Sequence, residues 1–214
     1  MRGLLRNNLY ATGSNARVFS GFMLLLGAFT TAVISQSLQI GYVMIGIIGF
    51  SVNAVLVGKN ESVSKWGKYK LTMPVKRADI VKSLFFNEVI WLLAGTVFAG
   101  IEVGLSWLIH GCLFDRPIDM LTMFALGISM SLFMGAIFFP LLYAGGEERG
   151  EVFLIIALLG AFGIDFAIVS MANEILDPGI TAILLGAAIL VGCSVSAFIL
   201  SYPLTVCIFK RKEY

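Results

Sequence analysis

A single histidine, His110, stands in the 214 residues of this chain. Most nucleophile–base arrangements need an imidazole close to the reacting group, so this scarcity removes most hydrolytic chemistry. The three cysteines, Cys112, Cys193 and Cys207, are far apart and lack metal-ligand spacing. Two of them lie in apolar runs, where cysteine packs as a small apolar side chain, so neither a structural disulfide nor a metal site is expected. No phosphate-cradling G-x-x-x-x-G-K-[ST] loop occurs. The nearest approach, Gly58-Lys59-Asn60, has Asn53 in place of the first glycine and no hydroxyl residue after the lysine. ATP hydrolysis by that route is excluded. G-x-S-x-G and H-E-x-x-H are also missing, and the adjacent acids Glu147 and Glu148 have no partner histidine on their side of the chain. The chain is not expected to be an enzyme. Charge is equally scarce, at 13% of residues, against about 25% in a soluble domain.

Apolar residues take the place of charge: 58% of the chain is hydrophobic and the mean hydropathy is +0.93. They fall in long runs separated by charged turns, which reads as an all-α polytopic membrane protein. Six spans are expected, over about residues 18–35, 40–57, 84–109, 120–144, 152–171 and 180–209, in one transmembrane domain covering 1–214. The first apolar run is too long for the core of a signal peptide and no A-x-A site follows it. Six spans put both termini on one side. All of the 15 Lys and Arg except Arg116 then fall on that side, which the positive-inside rule assigns to the cytoplasm. Before the first span, Leu5 and Leu9 share a helix face in Met1–Ala16. One reading is a short amphipathic helix lying at the cytoplasmic interface; the other is a frayed tail with two topology-setting arginines. The basic residues sit at span ends, so no nucleic-acid surface is expected.

Within the spans, Gly41, Gly46 and Gly49 thin one side of the second, and Gly100 and Gly104 give the third a GxxxG face. Pro140 and Pro203 are expected to bend the fourth and sixth near their inner ends. Met130 and Met134 share a face of the fourth, for packing or for adaptable cargo contact. Among the polar residues inside apolar runs, Asn53, Glu88, Glu102 and Asp165 are the candidates for function. An ionised acid at mid-membrane costs about 2.5 kcal/mol or more, so each needs a cavity, a partner or a proton. Asp165, the deepest, and Glu102 are candidates for a cargo path or proton coupling. Glu88 has a second reading, as a partner of Lys82 or of a neighbouring subunit. Asn53 either bonds a neighbouring helix or faces cargo.

The segment Lys59–Ser83 holds seven of the 15 Lys and Arg between two spans, as a cytoplasmic loop would. Its run from Lys65 to Val81, KWGKYKLTMPVKRADIV, resembles a signature of small six-span type-2 ABC exporter permeases: a tryptophan and tyrosine, a Leu-Pro-Val-Ser-Arg-like turn, then an Ile-Val pair entering the third span. Met73 stands for the leucine, Lys76 for the serine, and Ser83-Leu84 for a lysine–tyrosine pair. The resemblance implies two permease subunits, the same or homologous, in a bacterial cell membrane above two ATPase subunits that bind ATP and Mg. No cofactor is then expected in this chain itself. It also implies a coupling helix near Glu61–Tyr69 that docks on the ATPase. Trp66 and Tyr69 would share one aromatic face of that helix, with Lys65, Lys68, Pro74 and Arg77 around it and Glu147 and Glu148 as a smaller second contact. Anchoring of the two aromatics at lipid headgroups is the other reading. Relatives of this size often export, or protect against, amphipathic and antimicrobial peptides, and the resemblance implies such cargo; a lipid or drug is the other cargo reading. The alternative is a proton-coupled secondary transporter or small channel that uses Asp165 and Glu102 without an ATPase.

Overall fold

The computed structural model describes residues 2–33, 35–63, 76–111, 117–145, 149–175 and 179–211. These form six helices: α1 (Arg2–Val33), α2 (Gln36–Val63), α3 (Arg77–His110), α4 (Pro117–Gly145), α5 (Gly150–Ile175) and α6 (Ile180–Arg211). Each is long and apolar enough to cross a membrane. With no water to satisfy backbone groups in hydrocarbon, continuous helices are the form such runs must take.

The helices exceed the expected spans mainly at their charged ends. Residues 59–63 belong to α2 and 77–83 to α3, so the segment expected as a loop over 59–83 is helical at both ends. The N-terminal segment is helical, as one reading had it, but it is neither short nor separate: α1 runs unbroken from Arg2 into the first span. The face that packs is also different. Leu4, Asn8, Thr12 and Ala16 are buried, whereas Leu5 and Leu9 are only half-buried. That four-residue stripe carries two polar residues, which a search for apolar periodicity passes over.

One end of the bundle gathers the N-terminus of α1, the α2–α3 and α4–α5 connections and the C-terminus of α6. It is called the basic end here. Hydrogen bonds from Asn8 to Ser83 and from Asn87 to Thr12 set α1 parallel to α3. Those from Asn87 to the Ala54 carbonyl and between Gln39 and Ser106 set α2 antiparallel to α3. Helix α4 is central. It packs along α6, on α5 and on α2, and its Phe133, Phe138, Phe139 and Leu142 join Leu84 and Phe85 of α3 in the main core. Lipid tails are as apolar as these side chains, so close fit rather than water exclusion holds such an interface. The fit is visible at Gly49, where a Cβ would stand 2.2 Å from the Phe19 ring, and at Gly95, where it would meet Phe50 at 3.0 Å and the Gly46 carbonyl at 3.2 Å. Gly100 and Gly104 behave otherwise. Nothing lies within 4 Å of a Cβ built on either, so the expected GxxxG face packs against nothing in the described part of this chain. Gly41 is open in the same way.

Neither proline ends its helix. Pro140 has no N–H to offer the carbonyl one turn back, that of Ala136. The Ser201 hydroxyl of α6 donates to that carbonyl at 2.7 Å, so a neighbouring helix replaces the missing bond. Met134 is fully buried in the core, which supports its packing role.

Candidate functional site: the basic end and the acids inside the bundle

Of the residues expected to meet an ATPase, Trp66, Tyr69, Lys65, Lys68, Pro74, Glu147 and Glu148 lie outside the described residues. Arg77, at the start of α3, is described. Its guanidinium Nη1 donates to the carbonyls of Phe209 at 3.1 Å and Lys210 at 3.2 Å, and the group lies 5.6 Å from the Phe209 ring centroid. The last carbonyls of a helix have no donor within it and form its negative pole, so a cation there caps α6. Lys59, near the end of α2, reaches Glu151 in the first turn of α5 at 2.5 Å. Its aliphatic stem lies over Gly150, where a Cβ would come within 2.7 Å. The two helices that flank the 64–75 connection are thus tied to α5 and α6 at the same end.

A polar seam runs between α1 and α3. The Asn8 amide donates to Ser83 Oγ at 3.1 Å, and the Asn87 amide donates to Thr12 Oγ1 at 3.0 Å and to the Ala54 carbonyl of α2 at 3.3 Å. All four side chains are buried. Reading single apolar runs missed these residues. The signal was the recurrence of Leu4, Asn8 and Thr12 at four-residue spacing.

The buried acids fall in three separate interfaces. Glu88 is fully buried where α3 meets α4, and both carboxyl oxygens lack a hydrogen-bond partner among the described residues. They fill the notch of Gly135, where a Cβ would lie 2.2 Å from each. Lys82 does not pair with Glu88. Its ammonium lies 5.8 Å from the Phe86 ring centroid, which overturns the intrachain ion pair considered for Glu88. Glu102 lies on the same helix, about 21 Å further from the basic end at 1.5 Å per residue. Its Oε1 accepts from Thr30 at 3.0 Å and Thr31 at 3.4 Å, while Oε2 is unpaired. It lines a cavity of about 500 Å³ with Tyr42, Phe98 and His110 near the far end of α1 and α3. Asp165 is buried beside Ser129 of α4, with Oδ1 unpaired, about 22 Å from the start of α5. Asn53, half-buried, donates its amide to the Gly49 carbonyl of its own helix at 2.9 Å. The four residues considered for a cargo path therefore do not converge within one chain, and the described residues contain no group of three metal-ligating side chains. Cys193 and Cys207 are exposed free thiols on α6.

Six membrane-length helices bound by buried polar side chains define a multi-pass membrane protein. The sequence of residues 3–210 matches the family described as ABC-2 family transporter protein. The chain belongs to that family and is a membrane-spanning permease subunit of an ABC transporter, a transport subunit rather than itself an enzyme. Membership implies association with an ABC ATPase. No curated protein and no solved structure matches the chain.

Proposed function

We propose that this permease is the membrane half of an ATP-driven exporter in a bacterial plasma membrane, with its basic end and both termini in the cytoplasm. A separate ATPase, holding ATP and Mg, docks on the connection between α2 and α3 through Trp66 and Tyr69. Lys65, Lys68, Pro74 and Arg77 surround that contact, and Glu147 and Glu148 form a second, smaller one. The observation that carries this reading is the linkage at the basic end. Movement of the α2–α3 connection reaches α5 through Lys59–Glu151 and α6 through Arg77 and the Phe209 and Lys210 carbonyls. Four helices are positioned to respond to one push.

A second permease, identical or homologous, covers apolar surface on α5 and α6, where Leu159, Phe166, Ile199 and Leu200 are all more than 60% exposed. The cargo space lies between the two subunits, with Asp165 and Glu102 as its acidic contacts. Amphipathic peptides, antimicrobial ones among them, are the cargo class. Cationic peptides of this kind suit acids set in apolar walls. The test is copurification. The Trp66→Ala, Tyr69→Ala double variant loses the ATPase that accompanies the wild-type chain. Arg77→Ala keeps the ATPase but loses cargo-stimulated hydrolysis. Undiminished ATPase recovery with the double variant refutes the docking role.

A further inference from the structure

A second cavity, of about 600 Å³, opens at the basic half of the bundle between α1, α2 and α3. That volume is in the range that holds a sizeable ligand. Its polar lining is one-sided. It includes Arg6, Arg17, Tyr10, Ser20 and Trp91, and no acid is among its lining residues. Trp91 Nε1 is buried and has no acceptor among the described residues. Ser20 directs its hydroxyl to the Arg17 carbonyl at 2.9 Å, and Arg6 lies against Tyr10, 5.5 Å from its ring centroid. No acid within the described residues pairs with Arg17.

Depth adds a second constraint. The Asn8–Ser83 and Asn87–Thr12 bonds fix the register of α1 on α3, so Arg17 stands level with the Trp91 turn. That is about 15 Å beyond Lys82 at 1.5 Å per residue, half the thickness of a hydrocarbon core. An arginine at this depth turns its head toward the nearer interface and needs an anion or water there. The Arg6 side chain lies on that path, about 16 Å nearer the basic end along the helix. The rest of the cavity is aromatic. Phe50 stacks on Trp91 with ring centroids 6.1 Å apart and meets Phe98 at 5.6 Å.

We propose that this cavity binds one anionic phospholipid from the leaflet at the basic end. The phosphate sits between Arg6 and Arg17, and an acyl chain lies along Phe50, Trp91 and Phe98. Two cations with no acid beside them call for an acid-bearing head, and the aromatic floor calls for a hydrocarbon body. A free inorganic anion meets the first requirement and not the second.

The test uses the full-length chain, with any ATPase that copurifies, in mixed micelles containing phosphatidylglycerol and phosphatidylcholine of identical acyl chains. Lipid retained on the protein is read by native mass spectrometry. The wild type retains phosphatidylglycerol about tenfold or more over phosphatidylcholine, the scale expected of charge-assisted hydrogen bonds. Arg6→Gln with Arg17→Gln abolishes that preference, Arg17→Lys keeps most of it, and Trp91→Phe lowers it several-fold. Arg17→Lys preserves charge and length, so it keeps the proposal testable if the double glutamine variant fails to fold. Equal retention of the two lipids by the wild type overturns the proposal, as does a preference that survives the double variant. Displacement of the lipid by millimolar inorganic phosphate assigns the site to a free anion and also overturns it.

Discussion

Substituting Gly135→Ala adds one methyl group on α4 where the Glu88 carboxyl of α3 packs. That methyl would lie 2.2 Å from both Glu88 carboxyl oxygens and 2.5 Å from its Cδ, well inside van der Waals contact. A carboxyl on a flexible stem could swing aside on a surface. Glu88 is fully buried, with Leu84, Phe85 and Phe139 in the surrounding core, so its displacement forces neighbours to move. Overpacking of this kind costs about 1–3 kcal/mol, equivalent to a fall of roughly 2–12 °C in Tm for a chain of this length. Thermal unfolding of the purified protein in detergent reads the effect, and a double-mutant cycle assigns it. In a Glu88→Ala background the notch is empty, so Gly135→Ala should cost little there. In a Glu88→Gln background, with the same shape and no charge, the full cost should return. A Gly135→Ala penalty that is the same in all three backgrounds would falsify the proposed packing of Glu88 in the notch.

Ser201→Ala leaves the Ala136 carbonyl without its interhelical donor and should destabilise the protein by about 0.5–1.5 kcal/mol; in a Pro140→Ala background, where an N–H is restored, the loss should largely vanish in the same unfolding assay. Arg77→Ala removes the cap on α6 and should cost about 0.5–2 kcal/mol, with earlier hydrogen exchange at the last turn of α6 than elsewhere in that helix. With Cys112, Cys193 and Cys207 replaced by serine, Lys65→Cys should react with a membrane-impermeant thiol reagent only from the cytoplasm and Arg116→Cys only from outside; labelling of Lys65→Cys from outside reverses the orientation. Thr30→Val should weaken the hold on Glu102 by about 1 kcal/mol or somewhat more, the scale of a hydrogen bond to a charged or strongly polar group, and should change cargo export more than it changes ATPase recovery.

The helix count was legible because membrane length and hydropathy are one-dimensional properties: about 20 apolar residues are needed to cross, and each run supplied them. The helix ends were harder to see. Residues 59–63 and 77–83 carry Lys59, Arg77 and Lys82, which read as loop by charge, yet all three have folded partners or an aromatic neighbour within the bundle. The three acids stand out in the sequence by their cost in hydrocarbon and are buried in the bundle, but their separation was not visible. Glu88, Glu102 and Asp165 look equivalent in a list of apolar runs. Gly135 and Ser129 both stand on α4, where Glu88 reaches from α3 and Asp165 from α5, while Thr30, the partner of Glu102, stands on α1.

The N-terminal helix carries the wider lesson. Its two leucines suggested an apolar face lying on the membrane, because in water an apolar stripe marks the buried side. In a bilayer the contrast is reversed: an apolar face is satisfied by lipid, while a small polar side chain needs a protein partner. Asn8 and Thr12 found Ser83 and Asn87, and Thr30 found Glu102, so the polar positions identify the side of α1 that packs. The same inversion explains Arg17. It stands exposed on α1, yet its level on α3 lies deep in the span, where exposure to lipid cannot satisfy a cation. Side chains that would be ordinary on a water-facing helix thus mark, in this one, both the internal seam and the cavity that calls for an anionic occupant.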